Sequence, residues 1–118
     1  MQPITIDAQA NPNLQLRIDA FSVPAAARAE FEAAMRRNLA FIETLQGFQG
    51  HAVFEKTSGP STFDLVTIAV WESPEAVASA SEKVRAYYEQ IGFDMQAMIA
   101  RWGATASLGF YRALNGVS

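Results

Sequence analysis

The chain has 118 residues, half of them hydrophobic and 18% charged, which is typical of one compact domain with a sizeable core. A net charge of -3 argues against a nucleic-acid partner, because phosphate binding requires clustered cations. No cysteine is present, no window is apolar enough to cross a bilayer, and the first residues do not resemble a signal peptide. A cytoplasmic protein without disulfides or membrane association is therefore expected.

The beginning of the chain predicts an arm followed by a strand. Residues 1–13 are polar and rich in turn formers, so they are expected to lie outside the core, and residues 14–114 are expected to form the domain. The segment 14–20 alternates apolar and polar residues, which predicts a strand with one buried face. Arg17 and Asp19 share one face of it. A buried pair there would be functional or would bridge a dimer, whereas a solvated pair would do neither.

The middle of the chain predicts a helix and a hairpin. Apolar residues of the segment 25–45 recur with helical spacing, and Gly47 follows where a left-handed helix cap is needed. The segments 48–56 and 63–71 are β-compatible and flank the turn cluster 57–61. Because the second of these strands is apolar on both faces, both faces of the sheet need an apolar cover.

The last third of the chain predicts a second helix, a short third helix and a final strand. Ser73 is a good N-cap, Pro74 suits the first helical position, and Glu75 complements the positive helix end. The segment 94–102 has helical spacing, and the segment 104–112 alternates as a strand does.

The resulting element order predicts the fold class. The order β-α-β-β-α-(α)-β matches an α+β, ferredoxin-like arrangement, in which an antiparallel four-stranded sheet carries its helices on one face. The other face is left bare and apolar. We therefore predict a homodimer that packs through its sheet faces.

Two short segments and the hairpin between them resemble those of a known family. The segments are Leu45-Gln46-Gly47-Phe48, at the end of the first helix, and Val70-Trp71-Glu72-Ser73, which leads into the second. They resemble the antibiotic biosynthesis monooxygenase family over roughly residues 16–110. The resemblance implies a dimeric α+β barrel with a pocket between sheet and helices for a flat hydrophobic molecule. In the best-known branch, O2 attacks an electron-rich phenolic substrate without metal or flavin, and the substrate supplies the electrons.

The resemblance carries over to few individual residues. The anthrone-oxidising branch has an Asn four residues before the strand-end Trp and a Tyr six residues after it, and this chain has Thr67 and Val77 there. Trp71 alone matches, as a pocket wall, although a Trp at a strand-helix junction is also an ordinary core residue. A haem-degrading branch needs a His and a Trp in the second helix. That helix has neither here, so haem degradation is not expected.

The candidate catalytic residues are His51 and Tyr88. His51 is the only histidine, and imidazole exchanges protons near neutral pH, but a strand histidine is often merely hydrogen-bonded. Tyr87 and Tyr88 point about 100° apart on a helix, so only one of them can face inward. A single histidine without a spaced partner falls short of a metal site, and neither metal nor cofactor is expected.

The remaining candidates are apolar or neutral side chains. Trp102 belongs to a patch with Met95 and Met98 that lines a pocket mouth or closes the core. The candidate substrate-binding residues are Trp71, Tyr87, Thr67, Phe54, Val77 and Trp102.

Three functions remain open from the sequence. The first is a cofactor-independent, monooxygenase-like enzyme that oxidises a small aromatic, phenolic or quinone-type compound. The second is a non-catalytic dimer that binds a small hydrophobic aromatic ligand, and the third is a dimer kept for association with another protein. An apolar pocket of roughly 300 Å3 or more with two or three convergent polar side chains favours the first two.

Overall fold

Four strands and three α-helices make up the computed structural model, which describes residues 4–116. The strands are β1 (Gln15–Ser22), β2 (Phe48–Glu55), β3 (Leu65–Trp71) and β4 (Thr105–Tyr111), and the α-helices are α1 (Arg28–Ile42), α2 (Pro74–Ile91) and α3 (Met95–Trp102). A single 3-10 turn, Ala25–Ala27, leads into α1. None of the described helices is long and apolar enough to span a membrane.

The strands form one antiparallel sheet in the order β2-β3-β1-β4. The register pairs Arg17 with Ala69 and Asp19 with Thr67 between β1 and β3. On the other side of β1, Asp19 pairs with Leu108 of β4. This topology confirms the predicted ferredoxin-like α+β class, and it puts the residues of β1 in the middle of the sheet.

Capping side chains begin the second and third helices where the sequence predicts. The Ser73 hydroxyl accepts a hydrogen bond from the Ala76 amide at 3.1 Å, and Pro74 occupies the first helical position. Asp94 caps α3 by accepting from the Ala97 amide at 3.1 Å. These local bonds satisfy amide groups that the first turn of a helix leaves unpaired.

The first helix is shorter than the predicted segment 25–45. Its α-helical part ends at Ile42, because the amides of Thr44 and Leu45 bond to carbonyl groups three residues back. The Thr44 hydroxyl also bonds to the Phe41 carbonyl at 2.6 Å. The predicted helix is therefore correct in type and about one turn too long at its end.

Gly47 joins the end of α1 to β2 in a place where only glycine fits. Its φ is +87°, and a Cβ there would lie 2.5 Å from the Cβ of Ala76. The chain passes directly over the first turn of α2, so both the backbone angle and the available space require glycine.

An aromatic core closes one end of the space between sheet and helices. Phe31 of α1 meets Phe21 of β1 and Trp102 of α3 edge to face, with ring centroids 5.0 and 5.6 Å away. Val23 and Leu65 complete the buried cluster. Trp102 therefore belongs chiefly to the core, one of the two alternatives that its sequence allowed.

The opposite face of the sheet carries apolar side chains without a helix above them. Ile18 of β1, Ile68 of β3 and Phe54 of β2 alternate with residues of the helix-covered face, and Phe54 is 51% exposed.

In the arm, the Asn11 side-chain amide donates to the Glu72 carbonyl at 3.1 Å. The division into an arm and a domain stays a prediction.

Candidate functional site

A cavity of about 450 Å3 lies between the sheet and the helices, next to the aromatic core. Its floor is formed by side chains of all four strands. Its walls come from α1 and α2, with the start of α3 at one side. Most of the lining is apolar, and the polar groups are few: Arg17, Asp19, His51, Thr67, Ser81, Arg85, Tyr88 and Gln96. This size and composition are those of a site for a small organic molecule.

A β-bulge turns His51 into the cavity. The register between β2 and β3 shifts between Phe48 and Gly50, so one extra residue enters β2. The bulge reverses the alternation, and Phe48 and His51 then share the helix-covered face, with ring centroids 6.0 Å apart. The His51 Nδ1 lies 3.4 Å from Oε1 of Glu43, within ion-pair distance.

Trp71 forms the wall at the end of β3. It is 6% exposed, and Phe48 meets it edge to face at 5.3 Å. At the strand end, just before the Ser73 cap, the indole is therefore closely packed. Part of the indole still borders the cavity, as expected for a pocket wall.

Arg17 and Asp19 form an ion pair on the cavity floor. The Arg17 Nε donates to Oδ1 of Asp19 at 2.6 Å. The guanidinium carbon also lies 4.9 Å from the centre of the Phe110 ring, at cation-π distance. Burial raises the pKa of Asp19, while the hydrogen bond and charge of Arg17 and a backbone bond from Gly109 act in the opposite direction.

Tyr88 is the inward-facing tyrosine of α2. Burial raises the pKa of its phenol, and the positive charges of Arg17 and Arg37 oppose that rise. The hydroxyl therefore stays protonated at neutral pH and is available as a hydrogen-bond donor. Arg17, Asp19 and Tyr88 together form a charged and polar cluster at one end of an otherwise apolar cavity.

A smaller cavity of about 120 Å3 continues from the first toward the aromatic core. Asp19, Thr67 and Tyr88 border both spaces. On the core side lie Asn38 and Trp102. The Trp102 Nε1 is buried and has no hydrogen-bond partner among residues 4–116.

Five of the eight candidate residues meet in the larger cavity. They are His51, Tyr88, Trp71, Thr67 and Val77. Trp102 borders only the smaller cavity. Tyr87 stacks flat on Phe41 at 4.1 Å, so it joins α1 to α2 and lies outside both cavities. Phe54 lies on the opposite face of the sheet, beside Val66, and away from the cavities.

The Arg17–Asp19 pair is recognisable in the sequence as two charges on one strand face, but neither residue is among the eight candidates. The signal was present, because alternation placed both charges on the face that buries Phe21. Arg85 of α2 also borders the cavity and was missed, since nothing in the helical pattern separates it from solvent-facing arginines. Within residues 4–116, no group of three or more His, Cys, Asp or Glu side chains is placed to hold a metal ion.

The fold and the cavity define a ferredoxin-like α+β protein with an apolar pocket between its sheet and helices. A family model described as antibiotic biosynthesis monooxygenase matches residues 16–90, and the chain belongs to this family. No curated protein matches the chain.

Solved structures share the fold at low sequence identity. A proposed monooxygenase from Shewanella loihica is 18% identical, with a TM-score of 0.66, and the match covers 86% of this chain and 95% of that one. SnoaB, a cofactor-independent oxygenase from Streptomyces nogalater, is 24% identical, with a TM-score of 0.60 and coverage of 89% and 97%. Rv0793 from Mycobacterium tuberculosis is 14% identical, with a TM-score of 0.59 and coverage of 89% and 99%. At these identities the likeness establishes the fold alone.

Proposed function

We propose that this protein is a cofactor-independent, monooxygenase-like enzyme that oxidises a small phenolic or quinone-type aromatic compound in the larger cavity. The observation that carries the proposal is the cavity itself: about 450 Å3 of mostly apolar space into which Arg17, Asp19, His51 and Tyr88 converge. Membership of the antibiotic biosynthesis monooxygenase family supports the same reaction class. A protein kept only for association with other proteins has no need of such a pocket.

The proposed reaction depends on proton transfer and on stabilisation of an anion, and it uses no cofactor. A phenol gives its O–H proton to a base, and the phenolate then transfers electrons to O2. One oxygen atom becomes the new quinone carbonyl. The other leaves as water with the hydrogens of the O–H and of the attacked ring carbon, so phenol and O2 give quinone and water.

The residues of the pocket suit these tasks. His51 borders the cavity and is the candidate to accept the phenol proton. The Tyr88 hydroxyl is a donor for the developing phenolate or quinone oxygen. Trp71 provides a flat wall for the ring, and the apolar lining keeps water from the reacting carbon.

The test is oxygen consumption in the presence of a panel of anthrones, naphthols and hydroquinones, with the product identified by mass spectrometry. We expect one O2 per molecule of substrate, with one oxygen atom incorporated. Tyr88→Phe and His51→Ala are expected to lower the rate by about tenfold or more, because each removes a proton-handling group. Trp71→Phe should raise KM more than it lowers kcat.

The matched control is Arg36→Ala, because this α1 side chain is exposed and lies outside the cavity. Its rate should equal that of the wild type. If several compounds bind in the cavity and none consumes oxygen, the enzyme proposal is wrong. The second candidate, a non-catalytic protein that binds small hydrophobic aromatic molecules, then takes its place; the mostly apolar lining favours it.

We also propose that the protein is a homodimer packed through the uncovered sheet face. Ile18, Ile68 and Phe54 give this face an apolar surface that a second copy would cover. Light scattering is expected to give twice the 12.9 kDa mass of the chain. Phe54→Asp should shift the protein toward monomer, and a wild-type protein that scatters as a monomer at micromolar concentration would contradict the proposal.

A further inference from the structure

We propose that the larger cavity selects aromatic acids, whose carboxylate is held by the two terminal nitrogens of Arg17 while the ring lies against the apolar walls. This inference rests on the proposed aromatic-binding function of the same cavity and names its substrate class. It assigns Arg17 as the residue that determines specificity.

Arg17 is fixed in place on two sides. Its Nε is bonded to Asp19 at 2.6 Å, and its guanidinium plane lies beside the Phe110 ring. Within residues 4–116, no hydrogen bond is made by its Nη1 or Nη2. The side chain is 33% exposed, and it lines the cavity. Two parallel donors are therefore already oriented and remain free for a ligand.

The free pair of donors matches a carboxylate in particular. A guanidinium and a carboxylate form two parallel N–H···O bonds, and these charge-assisted bonds are stronger than neutral ones. Because Asp19 and Phe110 hold the group in position, little side-chain entropy is lost when the ligand binds. A single phenol oxygen uses only one of the two donors well.

The charges around the cavity favour an anion despite the carboxylate of Asp19. That carboxylate already accepts a hydrogen bond from Nε of Arg17 at 2.6 Å, and the Gly109 backbone also favours its charged form. Arg85 adds a second positive charge to the lining. The positive charge of Arg37 on α1 also acts to lower the pKa of Tyr88. Glu43, just after α1, lies half-exposed beside His51 of the edge strand β2.

The inference is tested by calorimetric titration with a naphthalene carboxylate and with its methyl ester at neutral pH. The two compounds share the ring and nearly the same shape, and they differ in charge. We expect the wild type to bind the acid about tenfold or more tightly than the ester, the size of one charge-assisted bidentate contact. Asp19→Asn should retain most of this preference, since an amide oxygen still accepts from Nε.

Two Arg17 variants separate geometry from charge. Arg17→Ala should bind acid and ester equally. Arg17→Lys keeps a positive charge beside Asp19, so it preserves folding, but it lacks the two parallel donors and should lose most of the preference. Arg101→Ala is the matched control, because this arginine pairs with Glu30 on the surface and lies outside the cavity.

Equal binding of acid and ester by the wild type overturns the inference, and so does binding of neither or a preference that survives in both Arg17 variants. Oxygen consumption is measured separately. If the protein prefers the acid but consumes no oxygen, the proposed oxidation is wrong and the proposed aromatic-acid site is supported. If uncharged phenols are oxidised and the acid is not preferred, only the proposed aromatic-acid site is wrong.

Discussion

The two ends of the helix-covered face of β1 are packed in opposite ways. At one end, Phe21 is 5% exposed and meets Phe31 edge to face. Two residues away on the same face, Asp19 pairs with Arg17 beneath a cavity of about 450 Å3. One strand therefore contributes both to the closed core and to the open pocket.

The difference comes from the size of the side chains opposite the sheet. Over the closed end lie the large rings of Phe31 and Trp102. Over the open end, α2 presents Val77, Ala80 and Val84, whose side chains are smaller than those rings. The contrast shows how one sheet separates stability from binding: large rings at one end fill the interior, and small helix residues at the other leave space for a ligand.

The largest effect is expected from opening the closed end. Phe31→Ala removes a ring that is 4% exposed and lies between Phe21 and Trp102. We expect a loss of about 3–5 kcal/mol in the free energy of unfolding, measured by urea denaturation, because a buried ring is replaced by a void.

Phe110→Ala is the matched change at the open end. This ring is 43% exposed, so its removal should cost less than about 1 kcal/mol of stability. It should nevertheless weaken binding of the naphthalene carboxylate, because the ring supports the guanidinium of Arg17. Equal losses of stability in the two variants would contradict the division into a closed and an open end.

A smaller effect is expected at Gly47, where the chain between α1 and β2 passes close to α2. Gly47→Ala puts a methyl group at a φ of +87° and 2.5 Å from Ala76 of α2, so we expect a loss of about 2–3 kcal/mol. Gly92→Ala is the control: its φ of +70° is similar, and nothing lies within 4 Å of the new methyl group. About 1 kcal/mol is expected there. Similar melting temperatures for the two variants would show that the contact with α2 is unimportant.

Much of the fold could be predicted because its signals are local. Ser73 and Pro74 begin α2 through a side-chain cap and a preset backbone angle, and the apolar-polar alternation of Gln15–Ser22 is itself the pattern of a strand. The first helix was predicted too long, because the apolar spacing continues through Leu45 although the bonding changes to a tighter turn after Ile42. Periodicity records which face is buried and does not record where the hydrogen bonds change.

The site was less predictable because it depends on distances between elements. Tyr87 and Tyr88 are adjacent, and only the position of Phe41 decides which of them faces the cavity. Strict alternation along β2 would put Phe48 and His51 on opposite faces of the sheet. The bulge puts both on the helix-covered face. The charged pair of β1 was visible as a pattern. Its function depends on the cavity above it, which all three helices and the sheet form together.

The smallest expected effect concerns the pH dependence of the charged pair at the open end. Burial raises the pKa of Asp19 in the folded protein above its ordinary value of 3.8, although Arg17 opposes the rise. The folded chain then holds this proton more tightly than the unfolded chain does. The stabilisation from this tighter proton binding is complete below the ordinary pKa of 3.8, and it is lost as the pH rises through the folded pKa of Asp19.

Asp19→Asn removes this titration. From about pH 4 toward neutrality, the melting temperature of the wild type should therefore fall relative to that of the variant. Ser81→Ala is the control, because it changes an uncharged side chain of the same cavity, and its difference from the wild type should not vary with pH. A wild type that instead gains stability over Asp19→Asn across this range would mean that Arg17 outweighs burial. The ion pair would then stabilise the open end. The two ends would differ in the kind of interaction that stabilises them, an ion pair at one and packed rings at the other, and both would contribute to stability.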